Sequence, residues 1–150
     1  PNVVVFQALA TQDGEVVVAA ANDRLFIKLA RLLGRDDWIA DERYANNALR
    51  VKNKATLVPD LEGIFRSQPS QHWIDVLEAE GIPCSPIQDF HQVMADPQTA
   101  ALEIFQNIPD VDLRVVGLPV SFDGLRPPVR GPAPTLGEHN HDICSIVIDS

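Results

Sequence analysis

Residues 3–34 read VVVFQALATQDGEVVVAAANDRLFIKLARLLG, and the change of texture within them decides the fold class. VVVFQALAT and EVVVAAA are β-rich runs separated by QDG. Asp13-Gly14 is a strong tight-turn signal, so residues 3–20 are predicted to form a hairpin. Asn22 then offers a side-chain oxygen to the first orphan amides of a helix. Leu25, Phe26, Leu29, Ala30, Leu32 and Leu33 follow at helical spacing, and Gly34 stands where a left-handed C-terminal residue belongs. Strands leading into a helix predict an α/β chain with the character of a small α+β domain. Its expected parts are an N-terminal β-hairpin, several helices, short strands and a proline-rich C-terminal arm.

Beyond Gly34, RDDWIADERYANN reads as a solvated connector. Val51, Ala55, Val58, Leu61 and Phe65 keep one face across Pro59, predicting one kinked helix or two collinear ones. Ser70 is the expected cap of a helix containing Trp73, Ile74 and Leu77 and closed by Gly81. IPCSPI, punctuated by prolines, predicts an edge strand or rigid loop. DFHQVMADPQTAALE predicts two short helices, the second capped by Asp96 with Pro97 at its first position. After residue 108 the texture changes. Six of the twelve prolines lie between Pro109 and Pro134, around the predicted strands DLRVVG and PVSF, which suggests a wrapping arm too apolar for a flexible linker.

The 150 residues carry 12 Lys and Arg against 21 Asp and Glu, a formal charge of −9. That balance argues against nucleic acid or an anionic membrane as partner. No apolar run approaches the ~18 residues of a membrane span. Two thiols, Cys84 and Cys144, suit a reducing cytoplasm better than a disulfide scaffold. The chain begins at Pro1 without an initiator Met and ends in SIVIDS, which predicts a piece of a longer protein.

GEHNHDIC, residues 137–144, invites a metal reading, because His141 and Cys144 would share a helix face. His139, however, would point about 200° away from His141, and a structural zinc needs four converging ligands. His72 and His91 are isolated in the sequence. The plainer expectation is no metal and a helix start: Gly137 for the turn, Glu138 and Asp142 in the first turn, and Ile143, Ile146 and Val147 packing inward. Cys84 between two prolines has no histidine nearby in sequence to activate it. GRDDWIADER lacks the alternating ligands and central glycine of a calcium loop, and no phosphate-cradling glycine motif occurs.

Taken together, PNVVVFQALATQDGEVVVAAANDRLFIKLARLLG, DERYANNALRVKN, GIPCSPIQDFHQVMADPQ and GPAPTLGEHNHDI follow one another with a specific order and spacing. In that order and spacing residues 1–144 resemble the C-terminal portion of a family III CoA-transferase. This is the group of carnitine and bile-acid CoA-transferases that includes formyl-CoA:oxalate CoA-transferase. CSIVIDS departs from the family pattern.

The resemblance implies an acyl-CoA:carboxylate CoA-transferase working through an aspartyl-CoA intermediate. The nucleophilic aspartate and the large N-terminal domain that bears it would lie upstream of Pro1, and so would a glycine-rich loop ending just before PNVV. None of Asp13, Asp23, Asp96 or Asp142 would inherit the catalytic role. Coenzyme A would be a substrate, bound mainly by the large domain, with no covalently held cofactor. Residues 1–108 would be the small domain and 109–150 the return arm and the start of a last helix. The partners implied are that large domain and a second subunit in an interlaced homodimer. Pro83 and Cys84 are the candidates for lining the acyl pocket. Alternatives are an α-methylacyl-CoA racemase of the same fold, which exchanges an α-proton, and a non-catalytic assembly or binding module.

Overall fold

The structure is a computed structural model that describes residues 2–143. The chain forms two compact units, residues 1–87 and 88–150.

In the first unit β1 (Gln7–Ala10) and β2 (Glu15–Val18) pair antiparallel, with Leu9 opposite Val16, and β3 (Cys84–Pro86) adds to the far side of β2. Leu9, Val16 and Val18 are buried while Ala8 and Glu15 face out, the period of two that a half-buried sheet requires. The hairpin is shorter than predicted. Val4 and Val5 are fully buried yet lie outside the strands. IPCSPI is the edge strand the prolines allowed.

Helix α1 (Asp23–Leu32) is capped as its sequence predicts: the Asn22 side chain accepts from the Leu25 amide at 2.9 Å. At its other end Gly34 has φ +67°, the Gly34 amide donates to the Arg31 carbonyl, and the Arg35 amide donates to the Ala30 carbonyl. These two bonds close a Schellman motif. The expected connector is not solvated. It forms α2 (Asp36–Ala40) and a 3-10 turn (Glu42–Tyr44), and both Trp38 and Tyr44 are 2% exposed. Trp38 stacks near Phe26 with centroids 6.4 Å apart, and Tyr44 meets the same ring edge-on at 6.5 Å. Two aromatic rings six residues apart show no helical period, which is why the polar residues around them dominate the sequence reading.

Helices α3 (Asn47–Lys52) and α4 (Lys54–Phe65) are separate, but the break falls at Asn53 rather than Pro59. The Asn53 amide side chain donates to the Leu49 and Arg43 carbonyls and draws the backbone out of helix. Pro59 sits on the exposed side of α4, with Leu57, Leu61 and Phe65 buried opposite. Helix α5 (Ser70–Ala79) starts at Ser70, which is not its own cap. The Asp13 carboxylate from the β1–β2 turn accepts from the Ser70 amide at 2.7 Å, and the Ser70 and Thr11 hydroxyls are 2.7 Å apart. A Cβ on Gly14 would come within 3.2 Å of the Ser70 hydroxyl, which would have to shift by a few tenths of an ångström to admit it. Trp73 stacks on Phe65 with centroids 4.4 Å apart and donates from its indole nitrogen to the Phe65 carbonyl. Gly81, φ +66°, ends α5 as expected.

The middle of this unit holds a charged side chain. Arg50 is 1% exposed; its Nε donates to the Val4 carbonyl at 2.9 Å, one terminal nitrogen to the Tyr44 carbonyl at 3.1 Å, and the other to Asp23 at 2.7 Å. Its guanidinium carbon lies 4.5 Å from the centroid of Phe26.

In the second unit α6 (Phe90–Ala95) has a capping box between Asp89 and Gln92, and α7 (Pro97–Ala101) has Asp96 as cap and Pro97 first, both as expected. β4 (Phe105–Asn107) pairs antiparallel with β5 (Arg114–Val116), across the point where the proline-rich texture begins. PVSF is not a strand. Phe122 bridges Leu125 around Asp123-Gly124, whose φ values of +50° and +81° are those of a two-residue type I′ turn. Gly137, at φ +82°, precedes helical residues 140–143. Ile143, expected to pack inward, is exposed; Ile146 and Val147 lie outside the described residues. All the described hydrophobic side chains that are buried belong to the first unit.

Replacing Arg50 by alanine strands two backbone carbonyls in the core, whereas Asp23, 57% exposed, is a solvent-screened partner. Urea unfolding followed by the fluorescence of Trp38 and Trp73 should show Arg50→Ala losing about 3–5 kcal/mol. Asp23→Asn should lose less than about 1 kcal/mol. Equal losses would mean that the ion pair, not the carbonyl bonding, holds the unit.

Candidate functional site

The residues expected to line an acyl pocket sit at the start of β3. Pro83 is exposed and its carbonyl accepts from the Ala19 amide at 2.9 Å. Cys84 lies opposite Val18 and packs partly buried against the core, its sulfur 3.9 Å from the Ile74 carbonyl. Burial, with Glu78 adding to it, pushes the Cys84 thiol up from its ordinary value. A neutral thiol is a poor nucleophile, and Cys84 packs against the core. Neither residue lines the cavities described below.

The titrating groups that are displaced are held by structural bonds. Asp13 is lowered first by the Ser70 amide and then by the Ser70 hydroxyl. Asp37 and Asp41 are lowered by the guanidinium groups of Arg35 and Arg43, which are themselves raised. Asp96 is lowered chiefly by the Gln88 side chain. Each belongs to a cap or a surface ion pair. His139 and His141 flank Asp142 at 4.0 and 3.8 Å. Among the described residues no three His, Cys, Asp or Glu side chains converge as metal ligands; Cys144, the remaining thiol of that reading, lies outside them.

Spaces large enough for a small molecule lie in the second unit. A cleft of about 560 Å³ is lined by Phe90, Val93, Ile104, Phe105 and Val116, with Gln88 and Asp89 at its polar side. A more polar hollow of about 370 Å³ adjoins Glu103, Gln106, Asn107 and Arg126. In the first unit a space of about 50 Å³ lies beside Arg50, Trp38 and Tyr44. The large cleft has the size and apolar lining of a small-molecule or docking surface. Its one ionisable lining residue, Asp89, is engaged as the cap of α6, where its carboxylate accepts from the Gln92 amide at 2.8 Å. Phe90 was legible as a helix residue, but Phe105 and Ile104 lie on and beside a strand that the sequence does not announce. Among the described residues no helix is long and apolar enough to cross a membrane.

Residues 1–140 match the model of CoA-transferase family III. The chain is 32% identical over 148 residues to an acyl-CoA transferase of Fusarium pseudograminearum, covering 95% of this chain and 32% of that protein. It is 30% identical over 150 residues to the succinyl-CoA:glutarate CoA-transferase of Homo sapiens, covering 98% of this chain and 34% of that protein. The crystal structure of a CaiB/BaiF family protein from Brucella suis superposes with a TM-score of 0.79 at 31% identity, covering 98% of this chain and 38% of the other. The chain thus spans about a third of the length of the curated relatives it matches.

The lowered Asp13 gives a pH test of its role as a remote cap. A depressed carboxyl stabilises the fold at pH above its unfolded value of about 3.9, and that contribution is lost as pH falls through the lower folded value. The melting temperature of wild type should therefore exceed that of Asp13→Asn at neutral pH, with the gap closing below about pH 4. A gap unchanged by acid would exclude the charged cap.

Proposed function

The chain belongs to CoA-transferase family III, and from that premise we propose that it is the small-domain portion of a longer acyl-CoA:carboxylate CoA-transferase. The observation that carries this reading is the family match over residues 1–140 in a chain about a third as long as its relatives.

In the proposed reaction an aspartate upstream of Pro1 attacks the thioester carbonyl of the donor. The C–S bond breaks, CoA leaves as thiolate, and a mixed anhydride remains on the enzyme. The thiolate then attacks the aspartyl carbonyl, releasing the donor acid and leaving an aspartyl-CoA thioester. The acceptor carboxylate repeats both steps in reverse order and departs as the new acyl-CoA. A glycine-rich loop immediately upstream of residue 1 covers the intermediate.

Residues 1–108 then form the small domain and 109–150 an arm returning to the large domain, in an interlaced homodimer. Pro83 and Cys84 belong, in this reading, to the rim of the acyl pocket. The second unit supports the need for a covering surface. Phe90, Phe122, Leu125 and Leu136 are 67% to 107% exposed, and no described hydrophobic side chain there is buried. A layer of helices and strands that buries no apolar core of its own is completed by another surface.

The purified 150-residue chain, incubated with succinyl-CoA and glutarate or with acetyl-CoA and oxalate, should show no CoA transfer. Turnover by the pure chain would put the nucleophile inside it and overturn this reading. Sedimentation velocity should show concentration-dependent self-association through the exposed apolar side chains. A strict monomer at high concentration would count against a covered face.

A further inference from the structure

Two Asp-Gly steps occur in the chain, Asp13-Gly14 in TQDGEV and Asp123-Gly124 in SFDGLR, and the structure gives them opposite settings. Both lie on exposed turns, so exposure does not distinguish them. Hydrogen bonding does. At the first step the Asp13 carboxylate accepts from the Ser70 amide at 2.7 Å and from the Thr11 hydroxyl at 3.3 Å, while the Gly14 amide donates to the Thr11 hydroxyl oxygen at 3.1 Å. Four residue pairs of the β1–β2 ladder and the tie to Ser70 hold that turn closed. At the second step neither group is engaged among the described residues: no hydrogen bond reaches the Asp123 carboxylate, and the Gly124 amide donates to none. That turn is held by one reciprocal pair of backbone bonds between Phe122 and Leu125, at 2.8 and 2.9 Å, whose side chains are 67% and 75% exposed.

The difference matters because a glycine amide can attack the carboxyl group of the aspartate before it, with no side chain of its own to hinder the approach. The Gly124 nitrogen gives up its proton and bonds to the Asp123 carboxyl carbon; the C–OH bond breaks, water leaves and a succinimide ring closes. Water then adds back. Cleavage of the new N–C bond restores aspartate, whereas cleavage of the original peptide bond leaves isoaspartate, with the main chain running through Cβ and Cγ. One water leaves and one returns, and nothing is oxidised or reduced.

We infer that Asp123-Gly124 is a site of spontaneous isoaspartate formation, and that the bonds from Thr11 and Ser70 protect Asp13-Gly14 from the same reaction. The added backbone methylene moves Leu125 out of register with Phe122. Ser121, Gly124 and Leu125 line a hollow of about 320 Å³ together with Glu103 and Arg126, so the modification reshapes one wall of that space.

Ageing the purified 150-residue chain at neutral pH, then digesting it and fragmenting the peptides by electron transfer, measures isoaspartate at each step. It should accumulate at Asp123 about tenfold faster than at Asp13, because the bonds at Asp13 and Gly14 must break before that ring can close. In concentrated urea the two rates should converge. Thr11→Ala, which frees the Gly14 amide, should raise the Asp13 rate in a chain whose tryptophan fluorescence is still that of the folded protein. No isoaspartate at Asp123, or equal rates in the folded chain, would overturn the site. A difference that persists in urea would trace it to neighbouring residues and overturn the protection, as would an Asp13 rate unchanged by Thr11→Ala.

Discussion

The first unit is organised around a positive charge removed from water. A guanidinium 1% exposed is tolerated only when its donors are occupied, and Arg50 finds acceptors on three separate pieces of chain: residue 4, the 3-10 turn at Tyr44, and the first turn of α1 at Asp23. Hydrophobic burial would bring these pieces together in many arrangements. Directional bonds to two backbone carbonyls select one. The aromatic rings of Phe26, Trp38 and Tyr44 then close around that arrangement, with Phe26 also presenting its face to the cation. The same helix that buries Arg50 also holds residues 2–4 through Asn47.

The two units differ in how they satisfy their apolar residues. Residues 1–87 enclose a cluster running from Val4 to Ile82 around a three-stranded sheet. Residues 88–143 have good local structure, with a capping box, a proline-started helix and a type I′ turn, but leave most of their large apolar side chains exposed and the rest half-buried. Local bonds specify the shape of that unit without supplying a core. Such a surface suits a portion of a protein that meets further chain, in keeping with a length about a third of its relatives.

Much of the fold was legible where local chemistry decides. Asn22, Gly34, Gly81 and the Asp96-Pro97 pair act at the positions their residue types predict, because caps and left-handed residues depend on a few neighbouring atoms. Illegible parts depend on distant partners. Asp13 caps a helix 57 residues away, and Trp38 and Tyr44 are buried against the Phe26 ring of another element. Of the β4–β5 pair the sequence announces β5, within DLRVVG, but not β4, a three-residue strand whose pairing depends on its partner. Of the site, the family motifs were visible but the work of Asn47 and Arg50 was not: an Asn and an Arg three residues apart look like ordinary helix surface until their acceptors are known.

The central claim is that chemistry and architecture are divided, with the attacking carboxylate upstream and these residues shaping what surrounds it. Hydroxylamine intercepts an aspartyl-CoA thioester as a hydroxamate, which peptide mass mapping locates. With the longer protein and an acyl-CoA donor, the account predicts a hydroxamate on one aspartate upstream of Pro1 and none in residues 1–150. A hydroxamate on Asp13, Asp23, Asp96 or Asp142 would contradict it.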